Sequence, residues 1–160
     1  MSLESTASPP LIVHVIYSLG AGGLENGLIN IINRIPENRY RHAIICLTKS
    51  GSFEKRIRNS ATRVYSLHTT PGHSFRIYWT LWKTLRQLEP SIVHTRNLSA
   101  LEAQIPAFFL TKRVKTVHGV HGRDVFDLEG KKRKYNLLRK MIRPLVGRYI
   151  TVSLDLKRWL

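Results

Sequence analysis

Three glycines lie in a short turn near the start of the chain, between an apolar run and a helical pattern. Gly20, Gly22 and Gly23 follow the apolar run at residues 11–18. Glycine lets the backbone turn sharply and lets a ligand approach the main chain closely. A helix that begins after such a turn directs free N–H groups and its positive dipole end toward the same space. The turn indicates either a nucleotide-type ligand bound through its phosphate or a glycine-rich turn with nothing bound, and it leaves both interpretations open.

Two groups of polar residues follow apolar runs later in the chain. One occupies residues 94–97 and the other residues 118–123. An imidazole can bind or move a proton and a guanidinium can hold a phosphate, so both groups are candidate sites. Their members are His94, Arg96, Asn97, His118, Gly119, His121 and Arg123. We do not expect His118 and His121 to hold a metal ion as a pair, because no third ligand accompanies them.

Strand and helix patterns alternate along the chain, and they must position these residues. The strand-like runs occupy residues 11–18, 42–48, 63–67, 91–95, 114–118 and 148–153. The helical patterns occupy residues 24–35, 53–59, 75–88, 98–109, 138–145 and 154–160. This alternation predicts an α/β fold, a Rossmann-like doubly wound parallel sheet with helices on both faces. Ligands bind beyond the carboxyl ends of the strands in such sheets, and the glycine turn and both polar groups fall at that edge.

Length and composition indicate one domain at residues 11–160 after a flexible lead-in at residues 1–10. The 160 residues are 42% hydrophobic, which suffices for a core. The single cysteine, Cys46, lies in an apolar run, so we expect a buried thiol in a reducing compartment and no disulfide within the chain. The opening residues resemble neither a secretory signal nor a transmembrane span, which predicts a cytoplasmic protein whose membrane contact, if any, is peripheral.

Positive charge is the most unusual feature of the composition. Lys and Arg number 26 against 10 Asp and Glu, a formal net charge of +16, and such a field attracts nucleic acid, anionic lipid or phosphorylated substrates. Much of this charge surrounds an apolar stripe formed by Leu138, Met141, Ile142 and Leu145. The basic residues are Lys131, Lys132, Arg133, Lys134, Arg139, Lys140, Arg143 and Arg148. A basic amphipathic helix predicts an anionic membrane surface as partner, and a solvated basic face whose stripe packs on the sheet is the alternative.

A dinucleotide-binding domain of an oxidoreductase or epimerase is disfavoured by two departures from its fingerprint. Gly20 and Gly22 fit the first two glycines of G-x-G-x-x-G, but Glu25 occupies the third position. The end of the second strand run, at residues 47–50, offers no acid to a ribose, although Lys49 could meet a phosphate. A nucleic-acid-binding or anionic-ligand-binding α/β module is the remaining alternative. We expect no nucleic acid partner, because the basic residues do not interleave with aromatic residues on a recognisable platform.

The pattern Gly22-Gly23-Leu24-Glu25 resembles the Gly-Gly-x-Glu start of glycosyltransferase family 4, a family of retaining enzymes with the GT-B fold. Three further segments resemble family motifs in the same order along the chain. They are Val93-His94-Thr95-Arg96-Asn97, Thr116-Val117-His118-Gly119 and Tyr149-Ile150-Thr151-Val152-Ser153. The resemblance extends over most of the chain, from residue 11 to about residue 160.

The resemblance implies the N-terminal half of a GT-B enzyme that transfers a sugar from a nucleotide-sugar donor to a glycan or lipid-linked acceptor, in cell-surface polysaccharide synthesis. In the family, the N-terminal domain mainly holds the acceptor, and the C-terminal domain binds most of the donor and carries a Glu-x7-Glu motif. The 160 residues contain no such motif. We therefore expect the donor-binding domain to be absent from this chain and the chain alone to be inactive.

The resemblance also implies roles for individual residues. His118 would be the catalytic residue facing the transferred sugar or acceptor, Gly22 and Gly23 would contact the donor diphosphate, and Arg123 could hold a phosphate. The remaining residues of the acceptor side would be Glu25, His94, Arg96, Asn97, Gly119 and His121. The alternative for His118 is a histidine that satisfies a strand-end carbonyl, and the alternative for His94 is a core histidine. For Glu25 we favour a helix-dipole role, and for His14 a structural one.

No cofactor is expected beyond the nucleotide-sugar co-substrate. No Asp-x-Asp sequence occurs in the chain, which agrees with a metal-independent scheme. In that scheme, basic groups and a helix N-terminus stabilise the leaving diphosphate.

Overall fold

Six parallel strands form a sheet in the order β3-β2-β1-β4-β5-β6. The structure is a computed structural model that describes residues 8–69, 75–110, 114–123 and 127–159. The strands are β1 (Leu11–Ile16), β2 (Arg41–Cys46), β3 (Arg63–Ser66), β4 (Ile92–Arg96), β5 (Lys115–Val120) and β6 (Arg148–Thr151). Because chain order reverses between β1 and β4, these two strands form the switch point where such sheets bind ligands.

Helices connect the strands and cover the sheet. They are α1 (Gly23–Arg34), α2 (Phe75–Leu88), α3 (Gln104–Phe108), α4 (Arg133–Ile142) and α5 (Leu154–Trp159). Short 3₁₀ helices lie at Ser52–Arg56, Leu98–Ala103 and Arg143–Leu145. The predicted doubly wound α/β fold is confirmed, and the six strand runs differ from the observed strands by at most two residues at either end.

Two apolar clusters, one on each face of the sheet, fix the helices. On one face, α1 packs Leu28 and Ile32 against Ile16, Ile44 and Cys46. On the other, Val13, Val15 and Ile45 of the sheet meet Leu81 and Leu85 of α2 together with alanines 100, 103 and 107. Alternate residues of β1 thus serve opposite cores, as the period of two in a strand requires. The Cys46 thiol is buried as predicted, and burial raises its pKa to about 12.

Two helical predictions need correction. The single helix predicted at residues 98–109 is a 3₁₀ helix followed by α3, because Pro106 has no N–H with which to extend an α-helical ladder across the junction. In α4, Ile142 is buried as predicted, but Met141 is 66% exposed. The inward-facing stripe therefore runs along residues 138, 142 and 145, of which 142 is buried and the other two are half-buried, and Met141 lies outside it.

Gly51 is a position where the fold requires glycine, and the sequence analysis did not identify it. A Cβ atom there would lie 2.6 Å from the main-chain oxygen of Leu19. Leu19 and Ser50 form an isolated parallel bridge, so the loop after β2 lies directly against the glycine turn. Main-chain contact with this loop and burial of the Leu19 side chain both hold the turn in place.

Gly51→Ala is expected to lower the free energy of unfolding by about 1–3 kcal/mol, because two stretches of backbone must separate to admit the methyl group. Gly27→Ala is the matched control, since a Cβ at Gly27 meets nothing within 4 Å and alanine favours the helix interior. Urea unfolding of both variants measures the difference. Equal stability of the two would show that the loop and the turn are not in close contact.

Candidate functional site

The glycine turn places the N-terminus of α1 at the carboxyl edge of the sheet. Gly22 caps α1 with extended backbone and no side-chain hydrogen bond, and Gly23 begins the helix. A Cβ at Gly23 would meet nothing within 4 Å, so the space before the helix is open on that side. At Gly22 a Cβ would collide with the Glu25 carboxylate, which lies back over the first turn. Glu25 thus occupies the end of the helix where its charge is stabilised, as the helix-dipole interpretation expects.

A cleft of about 520 Å³ opens beside this turn, and we name it the glycine-turn cleft. Its lining comes from Ile16, Tyr17, Gly23, Leu24, Glu25, Asn97, Ser99, His121 and Val152. The turn after β1, the end of β4 and the segment after β5 are far apart in the chain, and the parallel sheet brings them to one edge. Of the predicted site residues, Gly23, Glu25, Asn97 and His121 meet here.

A second cleft, of about 610 Å³, contains the predicted catalytic histidine, and we name it the His118 cleft. Its lining comes from Asn97, Leu98, Leu101, His118, Val120, Gly122, Gly130, Asn136, Arg139, Lys140, Arg143, Tyr149, Thr151, Lys157 and Trp159. Asn97 lines both clefts, whereas His118 and His121 line different ones. The imidazoles of His118 and His121 therefore lie in different clefts.

Asn97 ties the ends of β4 and β5 together. Its main-chain N–H donates to the Gly119 oxygen at 2.8 Å, and its side-chain Oδ1 accepts from the His121 N–H at 2.8 Å. Its backbone has φ 57° and ψ 172°, a conformation found almost only in glycine and costing about 1–3 kcal/mol. Surrounding hydrogen bonds hold it there, and this kind of strain is concentrated at binding sites.

His118 is held by a chain of side chains that fixes its tautomer. Gln104 Nε2 donates to Thr95 Oγ1 at 2.7 Å, and Thr95 Oγ1 lies 2.8 Å from His118 Nδ1 but 3.5 Å from the Val117 oxygen. The shorter distance favours donation of the hydroxyl proton to Nδ1, and in that tautomer the imidazole proton is on Nε2. Burial, together with His121 and Arg139, lowers the pKa of His118 to about 4, so the ring is neutral near pH 7.

This arrangement differs from the alternative interpretation of His118, and the catalytic role stays a prediction. The nitrogen that is engaged meets a threonine hydroxyl, not a strand-end carbonyl, and the described part of the chain offers no partner to Nε2. The Nε2–H is thus available as a donor to a ligand oxygen in the cleft. Thr95 and Gln104 were missed by sequence reasoning, although a polar residue inside an apolar strand and a glutamine inside an alanine-rich helix were visible signals.

On the opposite face of the sheet, a row of buried imidazoles runs toward Arg96. His14 Nε2 lies 3.1 Å from His42 Nδ1, and the His14 ring lies 5.5 Å from that of His94. Arg96, only 2% exposed, donates from Nη1 to His121 Nε2 at 3.2 Å. Burial lowers the pKa of His94 to about 3, and burial together with Arg96 lowers that of His121 to about 4. The row is therefore uncharged, and Arg96 supplies the positive charge beside it.

The imidazoles of His94 and His121 pack closely against Gly119. A Cβ there would lie 2.8 Å from His121 Nε2 and 2.9 Å from His94 Nε2. Its predicted place at the site is thus explained by close packing of imidazoles rather than by contact with a ligand.

Arg123 is not placed to hold a phosphate in either cleft, which corrects the prediction. Its guanidinium pairs with Asp155 at 3.0 Å and donates to the Leu128 oxygen at 3.3 Å. A residue 32 positions further along the chain neutralises it, and the sequence gave no sign of that pairing. Its neighbour Gly122 does line the His118 cleft.

Three of the basic residues assigned to a membrane surface lie at the His118 cleft instead. Arg139, Lys140 and Arg143 line it. The assignment is wrong for Arg139, whose side chain is 19% exposed and pairs with the buried Asp127 at 3.1 Å. Residues 131–134 are exposed and line neither cleft. Their assignment to a membrane surface remains a prediction. No helix in the described part of the chain combines the length and apolar character needed to cross a membrane.

Comparison with known proteins gives the family. The sequence profile described as Glycosyltransferase Family 4 matches residues 21–160. The chain belongs to glycosyltransferase family 4. The match includes Gly22, Gly23 and both polar groups, so the family resemblance found in four short segments is confirmed. A family 4 chain is a domain of the glycosyltransferase type, and the two clefts are its candidate substrate sites.

Solved structures share the fold of this family 4 chain. A crystal structure of UDP-N-acetylglucosamine 2-epimerase has a TM-score of 0.61 and 11% identity, over 94% of this chain and 44% of that one. A putative UDP-N-acetylglucosamine 2-epimerase from Listeria monocytogenes has a TM-score of 0.59 and 10% identity, over 94% and 40%. At this identity the similarity shows the fold alone, and the chain spans less than half the length of either. No curated protein matches the sequence.

The neutral imidazoles make stability depend on pH in a definite direction. The pKa of His94 falls from about 6.5 in the unfolded chain to about 3 in the fold, so below pH 6.5 the unfolded chain binds the extra proton. Stability is present above pH 6.5 and is lost as pH falls toward 3. From pH 7 to pH 5, His94 alone should lower the free energy of unfolding by about 2 kcal/mol.

Urea unfolding at pH 7 and pH 5 measures this loss. His94→Gln should shrink the difference between the two pH values even if it lowers stability at both. The exposed His68→Gln is the control and should leave the difference unchanged. An unchanged difference in His94→Gln would mean that His94 is protonated in the folded state.

Proposed function

We propose that this chain is the acceptor-side domain of a retaining glycosyltransferase. It would help to move a sugar from a nucleotide-diphosphate sugar to a glycan or lipid-linked acceptor, in the synthesis of cell-surface polysaccharide. One observation carries the proposal: in a family 4 chain, an open helix N-terminus and a cleft with a neutral histidine lie on either side of Asn97 at one sheet edge.

The donor diphosphate would lie at the N-terminus of α1. Gly23 presents its main-chain N–H without a side chain in the way, and the helix dipole favours negative charge there. The Glu25 carboxylate already lies over the Gly22 end, so it must swing aside or share the turn with a like charge. The fold shared with two proteins named for UDP-N-acetylglucosamine supports uridine diphosphate as the first nucleotide to test.

The acceptor would lie in the His118 cleft. His118 Nε2–H can donate to an oxygen of the sugar or acceptor and so stabilise charge that develops there during transfer. Because Nε2 carries the proton, His118 in this state positions and polarises rather than removes a proton. We propose that transfer needs no metal ion, with basic groups and the helix N-terminus stabilising the leaving diphosphate.

Most of the nucleotide contacts would come from a second, donor-binding domain. Among the described residues we assign few contacts to the donor. These are Gly22, Gly23 and the first turn of α1, which supports a second domain as the source of the others. We therefore expect weak nucleotide binding and no sugar transfer by the 160 residues alone. Transfer of a labelled sugar by this chain without another protein would contradict that expectation.

Glu25→Gln is expected to bind uridine diphosphate about fivefold more tightly than the wild-type chain. The change removes a like charge from the helix N-terminus, which is a contribution of about 1 kcal/mol. The Gly23 amide signal in an NMR titration reports the affinity. Glu37→Gln is the control, because Glu37 is exposed and follows the end of α1.

The same titration separates the alternatives. Lack of any Gly23 response to uridine or guanosine diphosphate, together with a steeply salt-dependent response to an oligonucleotide, would favour the nucleic-acid-binding module. A Gly23 response to NAD alone would favour the dinucleotide-binding domain.

We also propose a cytoplasmic location with peripheral contact to the inner membrane face, through the exposed basic residues at 131–134. Support comes from aromatic side chains on the helices that cover the same face of the sheet as His118. Phe75 and Trp79 of α2 are 92% and 56% exposed, and Phe108 of α3 is 57% exposed. Exposed aromatic rings and exposed basic residues both suit the headgroup region of an anionic bilayer.

Sedimentation with phosphatidylglycerol vesicles tests this contact. Replacing Lys131, Lys132, Arg133 and Lys134 by Gln should weaken binding at least tenfold, since each cation contributes about 1 kcal/mol at an anionic surface. The control removes four exposed charges beside the other half of the sheet: Arg34, Arg39, Lys55 and Arg58. Equal loss in both variants would show general charge attraction and no defined contact surface.

A further inference from the structure

The His118 cleft holds more positive charge than the described residues neutralise. Among the described residues, four cations line it and no Asp or Glu does. Arg139 is paired with Asp127. The other three, Lys140, Arg143 and Lys157, have no carboxylate within ion-pair distance in the part of the chain that the structure describes. Three cations without a carboxylate partner at one cleft indicate an anionic ligand.

The wall of this cleft is built to a fixed shape. Asp127 is 3% exposed and accepts both from Arg139 and from the Lys132 N–H, and burying it costs less because both partners stabilise its charge. The Arg139 guanidinium in turn lies 4.4 Å from the centre of the Trp159 ring. Arg139 therefore links α4 to α5. The three unpaired cations remain available to contact a ligand.

Gly130 and Trp159 close the cleft on one side. Gly130 has φ +69°, and a Cβ there would collide with the Trp159 indole. Tyr149 lies on another side, with its ring 5.7 Å from that of His118. The cleft thus offers aromatic surfaces for the apolar parts of a ligand, a donor at His118 Nε2 and cations for a negatively charged part.

We propose that the His118 cleft binds a phosphate or diphosphate group carried by the acceptor, contacted by Lys140, Arg143 and Lys157. This rests on the proposed function in one respect: the His118 cleft is taken as the acceptor side. A diphosphate matches three unpaired cations better than the single charge of a sugar carboxylate, and a guanidinium such as Arg143 can engage two of its oxygens at once.

The test uses the indole N–H signals of the chain's three tryptophans. Trp159 lines the His118 cleft, whereas Trp79 and Trp82 stack on each other in α2. Uridine diphosphate is added until the Gly23 amide no longer changes, and inorganic pyrophosphate is then titrated at constant ionic strength. We expect the Trp159 signal to move to saturation and the other two indole signals to stay in place.

Variants locate the anion. Arg143→Gln should weaken the Trp159 response about tenfold or more, as loss of a charge-assisted contact does. Lys157→Gln should do the same, and it guards against a folding defect in the first variant. Arg133→Gln is the control, an equal loss of charge on α4 outside the cleft. Unchanged Trp79 and Trp82 signals show that each variant is folded.

The other outcomes bear on specific parts of the inference and of the proposed function. An unmoved Trp159, with pyrophosphate competing against uridine diphosphate at Gly23, would confine phosphate binding to the donor side and overturn the inference. An equal response to glucuronate would overturn the assignment to phosphate. A Trp159 response without any Gly23 response to nucleotide would support the inference and contradict the donor half of the proposed function.

Discussion

The clasp that Asn97 forms between the ends of β4 and β5 is the interaction on which both clefts depend. Its N–H and its Oδ1 hold Gly119 and His121 at 2.8 Å each, in a backbone conformation that glycine would adopt more easily. Without the clasp, the segment after β5 would be held to β4 less firmly, through the contact between Arg96 and His121. That segment carries His121 into one cleft and Gly122 into the other. Both clefts therefore depend on the strained backbone conformation of Asn97.

The second constraint is the separation of charge. The interior of the sheet contains imidazoles that burial keeps neutral, while Arg96 retains a positive charge beside them and burial lowers its pKa to about 10. The rest of the chain's positive charge lies on the surface and in the His118 cleft. The neutral imidazoles keep the strand ends rigid, and the positively charged His118 cleft beside them can bind a ligand. This division explains how a domain of net charge +16 can pack histidines in its core.

The sequence predicted the strands, the glycine turn and the edge where the site lies, because apolar runs and glycines report directly on buried strands and turns. It did not predict which way each basic residue on α4 faces. Arg139 and Arg133 look alike in sequence, and only packing against Asp127 and Trp159 distinguishes them. The pairing of Arg123 with Asp155 and the support of His118 by Thr95 and Gln104 are long-range contacts, which no local pattern encodes.

The most direct measurement is the ligand response of Asn97→Gly, which keeps the backbone conformation accessible and removes the side chain with its Oδ1 contact to His121. Asn136→Ala is the comparison, because Asn136 lines the His118 cleft alone. In NMR titrations with uridine diphosphate and pyrophosphate, we expect Asn97→Gly to weaken the responses of both Gly23 and Trp159. Asn136→Ala should weaken only that of Trp159. Wild-type responses at both positions in Asn97→Gly would show that the clefts do not depend on this clasp.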